Sequence, residues 1–507
     1  MGTVEQPAGA HGEGRLGRAT TSDESRLDWT PIVYRQAGGC YTLYWLAMTF
    51  SIDTLIDDVL IELILILPVN DVLNIRKTCK RLSFLTRIRT VWSTKFRIEV
   101  VQRKLPIPGN YLPFRDLPAT DLEWRTLRAL QLDNKWERRS RQTALCTFLP
   151  LSNGAQQVIL LPGGQDALTI HSNCITSWRV GLPSFSENAS VENLHTWISP
   201  STIARAVRDN ERADCVAVEM NDEMQRMIAV LSVNTNGTFT ILGTSPISQT
   251  EQLVGILDDF ILLDDSRTSE HEGKVSIKHW KLNMEILLET PPEGGNYLTH
   301  TVFQHRLVVL WERVIAIYPM PSATFPSTDP QGSRLDFAQA FYLHHSVQLP
   351  ASMTSCRPHS LPGPSYLEHG NEEDLSCLSV ISAKAVVNNW GPGHNFERSI
   401  LHPIDNTNKR FALSTVPMAV DTEECSGVCL GPSGRGVWND SGNLSLCTPR
   451  TIITRLGKMR IVDFDDHCRP LCRIPAKDTG PMCLDFDDGM GRIAVAHAKG
   501  VKIIDLI

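Results

Sequence analysis

The stretch that decides the fold of the N-terminal part lies at residues 55–92 and reads LIDDVLIELILILPVNDVLNIRKTCKRLSFLTRIRTVW. Its apolar residues recur every three or four positions and predict a first helix over residues 57–67. Asp53 or Thr54 is placed to cap this helix, and Asp57 and Asp58 fall in its first turn, where the helix dipole favours negative charge. Because the helix is apolar on nearly all sides, we expect it to be covered on all sides.

Two further helical segments follow the first. Pro68 ends the first helix because it has no amide proton, and Asn70 offers a cap for the second. The apolar positions of the second and third segments are Val72, Ile75, Cys79 and Leu82, and then Ile88, Val91, Trp92 and Phe96. Three helices of this size form a marginal core, and they leave apolar surface over. We call residues 51–104 the hook and predict that this surplus surface docks another protein.

The hook resembles the F-box, a helical motif that binds the Skp-type adaptor of cullin-RING ubiquitin ligases. The resemblance covers about forty residues and is carried by Asp57-Asp58-Val59-Leu60, Leu67-Pro68-Val69, Thr78-Cys79-Lys80-Arg81-Leu82 and Val91-Trp92. It departs from the family at Ile56, where a proline usually follows the leucine. The resemblance implies that the following residues contact the adaptor: Leu55, Ile56, Val59, Leu60, Leu63, Ile64, Leu67, Pro68, Val72, Leu73 and Cys79. The alternative is an ordinary buried helical hairpin.

Composition restricts the function classes. The 507 residues are 42% apolar and 21% charged, which predicts two or three domains with sizeable cores. The net charge of −7 argues against a protein that coats nucleic acid. Thirteen cysteines lie scattered, as expected in the reducing cytoplasm or nucleus. The apolar runs are too short for a membrane span, and no secretory signal is recognised. We therefore expect neither nucleic acid nor a membrane as a partner.

The segments on either side of the hook are polar or rich in proline. Residues 1–50 predict a mostly disordered tail, within which the apolar run 41–50 has no assigned structure. Residues 105–141 predict a stiff, extended linker with one short helix that carries Leu122, Leu127 and Leu130. Residues 76–104 contain ten Lys or Arg residues and one acidic residue. We interpret this run as a solvated helix face, the alternative being a patch for nucleic acid or anionic lipid.

From residue 142 onward, short apolar runs alternate with polar turns, which predicts an all-β region. Groups of three or four strands recur about every forty to fifty residues, which favours a β-propeller of about seven blades over residues 142–507. The last unit resembles the blades of WD-type propellers, although no full Gly-His…Trp-Asp signature occurs. We expect the strand at 501–507 to pair with one near 143–149, because an open edge strand is an aggregation hazard. A β-solenoid and a two-sheet sandwich remain alternatives.

Candidate sites in the β region are weak. Three segments rich in Pro, Gly, Ser and His (322–333, 357–374 and 387–398) are predicted as surface insertions where recognition could reside. The pairs Cys425/Cys429 and Cys468/Cys472, beside His467, have spacing loosely compatible with zinc, but we interpret them as chance cysteines. Acidic pairs at 258–259, 264–265, 465–466 and 487–488 are interpreted as turn residues. We predict no catalytic residue, no cofactor and no metal ligand.

These observations predict an α+β multidomain protein, in which a small three-helix F-box precedes an all-β propeller. By the resemblance, the chain would be the non-catalytic substrate receptor of an SCF-type ubiquitin ligase. The hook would bind the Skp-type adaptor and, through it, cullin, while the propeller would bind an unknown target protein. The alternative is a propeller scaffold whose hook packs on its own propeller and joins no ligase. A propeller hydrolase is a third possibility.

Overall fold

The computed structural model describes residues 55–103, 105–109, 114–137 and 145–342, the last range with gaps at 152–153, 182–189, 210–211, 213, 223–224, 266–273, 304–305 and 322–332. It also describes the strands between 355 and 473 as backbone, and residues 483–506 except 498–499. The predictions for residues 1–50, for the caps Asp53 and Thr54, for His467 and Cys468, and for the acidic pair 465–466 lie outside these ranges. Contacts place residues 56–507 in one compact unit.

Four α-helices and one π-helical turn build the hook. They are α1 (Asp57–Ile66), α2 (Val69–Ile75), α3 (Lys80–Leu85), α4 (Arg89–Phe96) and the turn Arg97–Val101. The second predicted helix is therefore two helices, and Cys79 is the N-cap of α3, its sulfur accepting from the Leu82 amide. At the end of α2 the Thr78 hydroxyl donates to the Ile75 carbonyl, which has no partner within the helix. Pro68, not Asn70, occupies the N-cap of α2.

The core of the hook forms around Trp92. This side chain is fully buried, and its indole N–H donates to the Thr86 carbonyl over 2.8 Å. Arg76 lies over the Trp92 ring at 5.6 Å, where a cation is attracted to the ring face. Apolar side chains from all four helices complete this core: Leu60, Ile64, Val72, Leu82, Leu85, Val91 and Phe96.

The predicted linker contains a long buried helix, α5 (Ala119–Glu137), preceded by a short 3₁₀ turn (Phe114–Asp116). On one side α5 packs against α4, and Glu123 accepts from the Arg76 guanidinium over 2.9 Å. Further along, Arg128 donates to the Met490 carbonyl over 2.6 Å, and Leu132 joins an apolar cluster of the β region. The predicted segment thus carries a helix of 19 residues, longer than the short helix that was expected, and this helix touches both the hook and the sheets.

Most strands belong to seven sheets of four or five strands within the described residues. The closure sheet has the order β1 (Leu145–Leu149), β31 (Gly500–Asp505), β30 (Arg492–His497), β29 (Cys483–Asp487). The next two contain β2 (Gln157–Leu160), β3 (Asp166–Ile170), β4 (Cys174–Val180), β5 (Val191–Ile198), and β6 (Thr202–Arg208), β7 (Cys215–Asn221), β8 (Arg226–Val233), β9 (Phe239–Ile247).

The remaining sheets follow in chain order, with small departures from simple antiparallel order. The fourth contains β10 (Gln252–Leu257), β11 (Phe260–Asp264), β12 (Val275–His279), β13 (Met284–Leu288) and, added in parallel, β17 (Ser333–Leu335). The fifth contains β14 (Tyr297–Phe303), β15 (Arg306–Trp311), β16 (Val314–Pro319) and β18 (Gln339–Tyr342). The sixth contains β19 (Ser355–His359), β20 (Cys377–Asn388), β21 (Gly391–Pro403) and β22 (Phe411–Thr422).

The seventh contains β23 (Cys425–Leu430), β24 (Gly436–Asp440), β25 (Asn443–Cys447) and β28 (Arg469–Arg473). Two short strands, β26 (Thr451–Ile453) and β27 (Met459–Ile461), form a separate hairpin. The third predicted insertion, 387–398, is mostly the end of the β20–β21 hairpin and not a loop, because its residues pair across from Asn388↔Gly391 onward. Residues 322–332 and 360–374 of the other two lie outside the described ranges.

One edge strand of each sheet touches the corresponding strand of the next sheet. These inner strands are β29, β2, β6, β10, β14, β19 and β23, and their contacts return from β23 to β29. Apolar clusters fill the spaces between successive sheets, for example around Trp311 and around Trp178. The predicted order of N-terminal helices followed by antiparallel sheets is confirmed, and the β region is β-propeller-like.

Strands distant in sequence close the arrangement. β1 pairs antiparallel with β31, from Leu145↔Asp505 to Leu149↔Val501. The predicted pairing between the segments near 143–149 and 501–507 is therefore confirmed. Within this sheet Arg492 and Asp505 form an ion pair, the two side chains being 0% and 1% exposed. Such a pair is tolerated only where its remaining polar atoms are hydrogen-bonded.

Candidate docking surface on the N-terminal helices

Helix α1 is covered on one side only. Leu60 and Ile64 are buried against the other hook helices. Ile56, Val59, Leu63 and Ile66 are 65%, 41%, 44% and 78% exposed. Their spacing of three or four residues places them along one side of the helix, and we call these four residues the apolar stripe. A contiguous exposed apolar surface of this kind is typical of an interaction site.

The predicted adaptor-contact residues divide into three groups. Leu60, Ile64 and Val72 are buried in the hook core, so their side chains are not available to a partner in this conformation. Leu55, Leu67 and Leu73 are half-buried. Ile56, Val59, Leu63, Pro68 and Cys79 are exposed. The contact set of eleven residues stays a prediction, and the structure adds that three of its members, Leu60, Ile64 and Val72, lie in the core of the hook.

Three exposed apolar residues of the described part of the hook were absent from the predicted set: Ile66, Phe84 and Ile98, the last of which is 41% exposed in the turn Arg97–Val101. Ile66 is the most exposed member of the apolar stripe, and Phe84 on α3 is 70% exposed. The spacing from Leu63 to Ile66 was a usable signal, because residues three apart share a helix face. Phe84 gave no comparable signal, since it follows buried Leu82 by only two positions in a short helix.

The Lys95 side chain holds the C-terminal end of α1, the helix that carries the apolar stripe. The Lys95 ammonium donates to the Leu65 carbonyl over 2.7 Å and also to the Leu67 carbonyl. Burial lowers the pKa of Lys95, and the nearby Glu99 carboxylate opposes that shift. A cation at a helix C-terminus satisfies carbonyls that have no partner within the helix and interacts favourably with the dipole. Lys95 therefore anchors the junction between α1 and Pro68.

The basic run of the hook is partly used inside the protein. Arg76 pairs with Glu123, and Arg103 donates to Asp133 over 2.8 Å. Arg89 donates to the carbonyls of residues 114, 115 and 117. These contacts explain part of the positive charge by packing against α5 and the turn before it. Arg76, Arg89 and Arg103 therefore differ from the predicted solvated helix face, because their charges are used in packing.

The acidic pairs of the β region that could have served acid–base chemistry lie at turns and at strand ends, as far as the structure describes them. Asp258 has a φ of 53° in the turn between β10 and β11, and Asp264 and Asp487 end strands, as predicted. Burial raises the pKa of Asp487 to about 6. Its carboxylate accepts from the Gly163 and Met490 amides, which is a turn-stabilising role.

Metal binding has little support in the described part of the chain. Two strands separate β23, which carries Cys425 and Cys429, from β28, which carries Cys472. The described residues contain no group of three or more His, Cys, Asp or Glu placed to hold a metal ion. Within the same residues, no helix is both long enough and apolar enough to cross a bilayer.

Comparison of the chain with known proteins finds only weak similarity of structure. No protein-family model matches the chain, and no curated protein matches it in sequence. Among solved structures, hydrazine synthase of Kuenenia stuttgartiensis is similar over 71% of this chain and 98% of that chain, with 10% identity and a TM-score of 0.43. The β-propeller domain of Cps50 (Swd1) from Myceliophteria thermophila is similar over 72% and 100%, with 7% identity and a TM-score of 0.39. Likenesses of this size say nothing about function.

Proposed function

We propose that this chain is the substrate-recognition subunit of an SCF-type ubiquitin ligase, with a Skp-type adaptor bound at the apolar stripe. The observation that carries the proposal is the exposure of Ile56, Val59, Leu63 and Ile66 on a helix whose sequence resembles the F-box. The proposed subunit does no chemistry itself. It holds a target near a charged ubiquitin carrier and raises the effective concentration of the two reactants.

The β region would supply the target-binding half of the receptor. We infer that its seven sheets are the seven blades of a propeller, which is supported by the cycle of contacts between inner strands and by the pairing of β1 with β31. The site of action would be the cytoplasm or nucleus, where SCF-type ligases assemble. A complex of standard size buries about 800 Å² per partner, and the stripe with Pro68 and Cys79 would form its centre.

The second candidate function is a scaffold whose hook serves only to cover its own sheets. The packing of α5 on both α4 and the turn at Met490 favours a firm connection between hook and sheets. The exposed stripe favours the receptor, because a helix used only for internal packing has no need of four exposed apolar side chains on one side.

The test is capture of a purified Skp-type adaptor by the full chain. Replacing both Leu63 and Ile66 by Asp puts two carboxylates into the proposed contact without disturbing the buried side of α1. We expect binding to weaken about 100-fold or more, equivalent to about 2.7 kcal/mol, because buried charges without partners are unfavourable at an interface. Leu60→Asp is unsuitable, because Leu60 is buried and its replacement would disrupt the hook.

The matched control is Ile198→Asp, which makes the same change at an apolar residue 71% exposed on β5. This variant should capture the adaptor as the wild type does. Failure of the wild type to bind adaptor, or equal binding by the Leu63/Ile66 double variant, would remove the receptor proposal and leave the scaffold.

A further inference from the structure

The outer face of α3 is basic and carries one exposed aromatic ring. On the inner face, Leu82 and Leu85 are buried in the hook. Phe84 is 70% exposed on the other side, with exposed Lys80 one turn before it and exposed Arg87 one turn after it. Residues three or four apart are neighbours on a helix surface, and the Arg87 amide extends the turn by donating to the Phe84 carbonyl over 3.0 Å. We call Lys80, Phe84 and Arg87 the basic face.

The basic face adjoins the proposed adaptor contact. Cys79, which is exposed and belongs to the predicted contact set, is the N-cap of α3 and directly precedes Lys80. The Arg81 guanidinium donates to the Asp57 carboxylate from Nε and Nη2, over 2.8 and 2.6 Å. This ion pair joins α3 to the first turn of α1, next to Ile56 at the start of the apolar stripe. One partner can therefore reach both helices.

The charges of these two helices have opposite signs. Residues 57–66 of α1 contain Asp57, Asp58 and Glu62 and no basic residue. Residues 77–87 contain four Lys or Arg residues and no acidic residue. A partner that lies across both helices meets carboxylates on α1 and cations on α3. Electrostatic complementarity requires the partner to present acidic groups to α3.

We propose that the basic face is a second part of the adaptor contact, where it binds a segment of the adaptor that carries carboxylates around a pocket for the Phe84 ring. The proposal rests on the proposed function, because it names the chemistry that the same partner presents to α3. Aromatic side chains that fill a pocket are among the residues that dominate the affinity of protein interfaces. Lys80 and Arg87, on either side of the ring, steer the acidic segment and fix its register.

The hook already pairs its cations with the carboxylates of a helix inside this protein. Arg76 forms an ion pair with Glu123 of α5, and Arg103 forms one with Asp133 of the same helix. A nucleic acid also carries negative charge, but sequence-tolerant binding of single strands relies on successive stacked aromatic rings, and the basic face has one ring. The net charge of the chain, −7, also opposes a nucleic acid. The observations therefore favour a protein surface.

The first experiment tests contact directly. The variant Phe84→p-benzoylphenylalanine of the full chain carries a photo-crosslinker and is mixed with a purified Skp-type adaptor. We expect an adduct with the adaptor, and the crosslinked adaptor peptide should contain Asp or Glu beside the point of attachment. The same substitution at Phe148, which is 62% exposed on β1, is the matched control and should give no adduct. No adduct at residue 84, or one with a peptide that lacks acidic residues, would overturn the proposal.

The second experiment measures the contribution of the ring. Phe84→Ala should weaken adaptor binding about tenfold, because the loss of a buried aromatic anchor is among the largest effects at an interface. Alanine is a good helix former, so α3 should keep its structure. Phe148→Ala makes the same change at the control position and should bind the adaptor as the wild type does.

The third experiment measures the contribution of the charges. Lys80→Glu combined with Arg87→Glu should slow association with the adaptor about tenfold at low salt, and most of this difference should disappear at about 0.5 M salt. Lys274→Glu combined with Arg313→Glu is the matched control, since it reverses two exposed charges in the sheets and gives the same total charge. The control variant should keep most of the wild-type rate. Equal rates for the two variants would contradict the acidic chemistry of the segment.

The outcomes separate this proposal from the receptor proposal. Adaptor capture that is lost in the Leu63/Ile66 double variant and unchanged in Phe84→Ala overturns the role of the basic face and leaves the receptor standing. An adaptor that does not bind the wild type overturns both. Binding of a labelled single-stranded RNA that is lost in the Lys80→Glu/Arg87→Glu variant, while adaptor association is unchanged, assigns the face to nucleic acid and overturns the proposal.

Discussion

Replacing Arg492 by Met tests whether one buried guanidinium holds the closure sheet to its neighbour. Its Nε and Nη2 donate to the two carboxylate oxygens of Asp505 at 2.7 and 3.1 Å. Its Nη1 donates to the carbonyls of Gly164 and Val180, and Nη2 donates to that of Gly181. Arg492 therefore ties β31 to the second sheet through one side chain, and Met removes all five bonds at similar volume.

The expected loss of stability follows from these partners. Removing one member of a buried ion pair costs about 3–5 kcal/mol, because the remaining charge has no partner. Three carbonyls also lose a donor, at about 1 kcal/mol each, although relaxation and protonation of Asp505 recover part of the total. We expect the free energy of unfolding to fall by about 4–6 kcal/mol, which is a large part of the usual stability of a folded domain.

The assay is urea unfolding followed by tryptophan fluorescence, with hydrogen exchange of β1 and β31 as a local readout. Arg179→Met is the matched control, since Arg179 pairs with Asp166 at 3.1 Å but both side chains are partly exposed. This control should lose less than about 1 kcal/mol. Adding Asp505→Leu to Arg492→Met should recover part of the loss. A loss below about 1 kcal/mol for Arg492→Met, or no recovery in the double variant, would refute the reasoning.

Three further predictions concern single residues. Burial lowers the pKa of His300 to about 4, so the unfolded chain takes up a proton at a higher pH than the folded protein does. The stability that the neutral imidazole allows is complete above pH 6.5 and is lost as the pH falls toward 4, so about 2 kcal/mol of the free energy of unfolding should disappear between pH 7.5 and 5. Urea titrations at both pH values should show this loss in the wild type and not in His300→Gln. Gly491→Ala should weaken the packing of α5 on the turn after β29 and lower the free energy of unfolding by about 2 kcal/mol. Gly491 has a φ of +66°, and a Cβ there would lie 2.4 Å from the Leu132 side chain. Faster exchange of the α5 amides would show the effect. Lys95→Met should free the end of α1 and lower adaptor affinity, and unchanged affinity would argue against an anchoring role.

The spacing of apolar residues predicted the strands and helices whose buried side chains are apolar. The strand at 500–505 is apolar and follows a turn, so its pairing with the segment near 145 could be inferred from the need to cover an edge. The length of α5 could not be inferred, because its core-facing positions include charged residues. Arg125 is buried beside Asp121, and Arg128 is buried against the Met490 carbonyl. A sequence pattern treats such residues as surface, since their partners are known only after folding.

The candidate docking surface was predictable in location and not in detail. Periodicity showed that α1 carries apolar residues on nearly every side, but it could not show which side the other helices cover. That choice depends on where α3 and α4 lie, and it separates buried Leu60 and Ile64 from exposed Leu63 and Ile66. Likewise, the hairpin of β20 and β21 contains Gly and Pro, which locally favour a loop, while its long strand ladder overrides that preference.

The pairing of Leu145 with Asp505 also has a consequence for synthesis on the ribosome. These partners are 360 residues apart, and at about 5–20 residues per second the first strand waits roughly 20 to 70 s for the last. During that interval β1 and the neighbouring face of β2 lack their final cover. Newly made chains should therefore depend on chaperones most strongly late in translation, and a shortened chain that lacks β31 should be degraded or aggregate despite containing every other sheet.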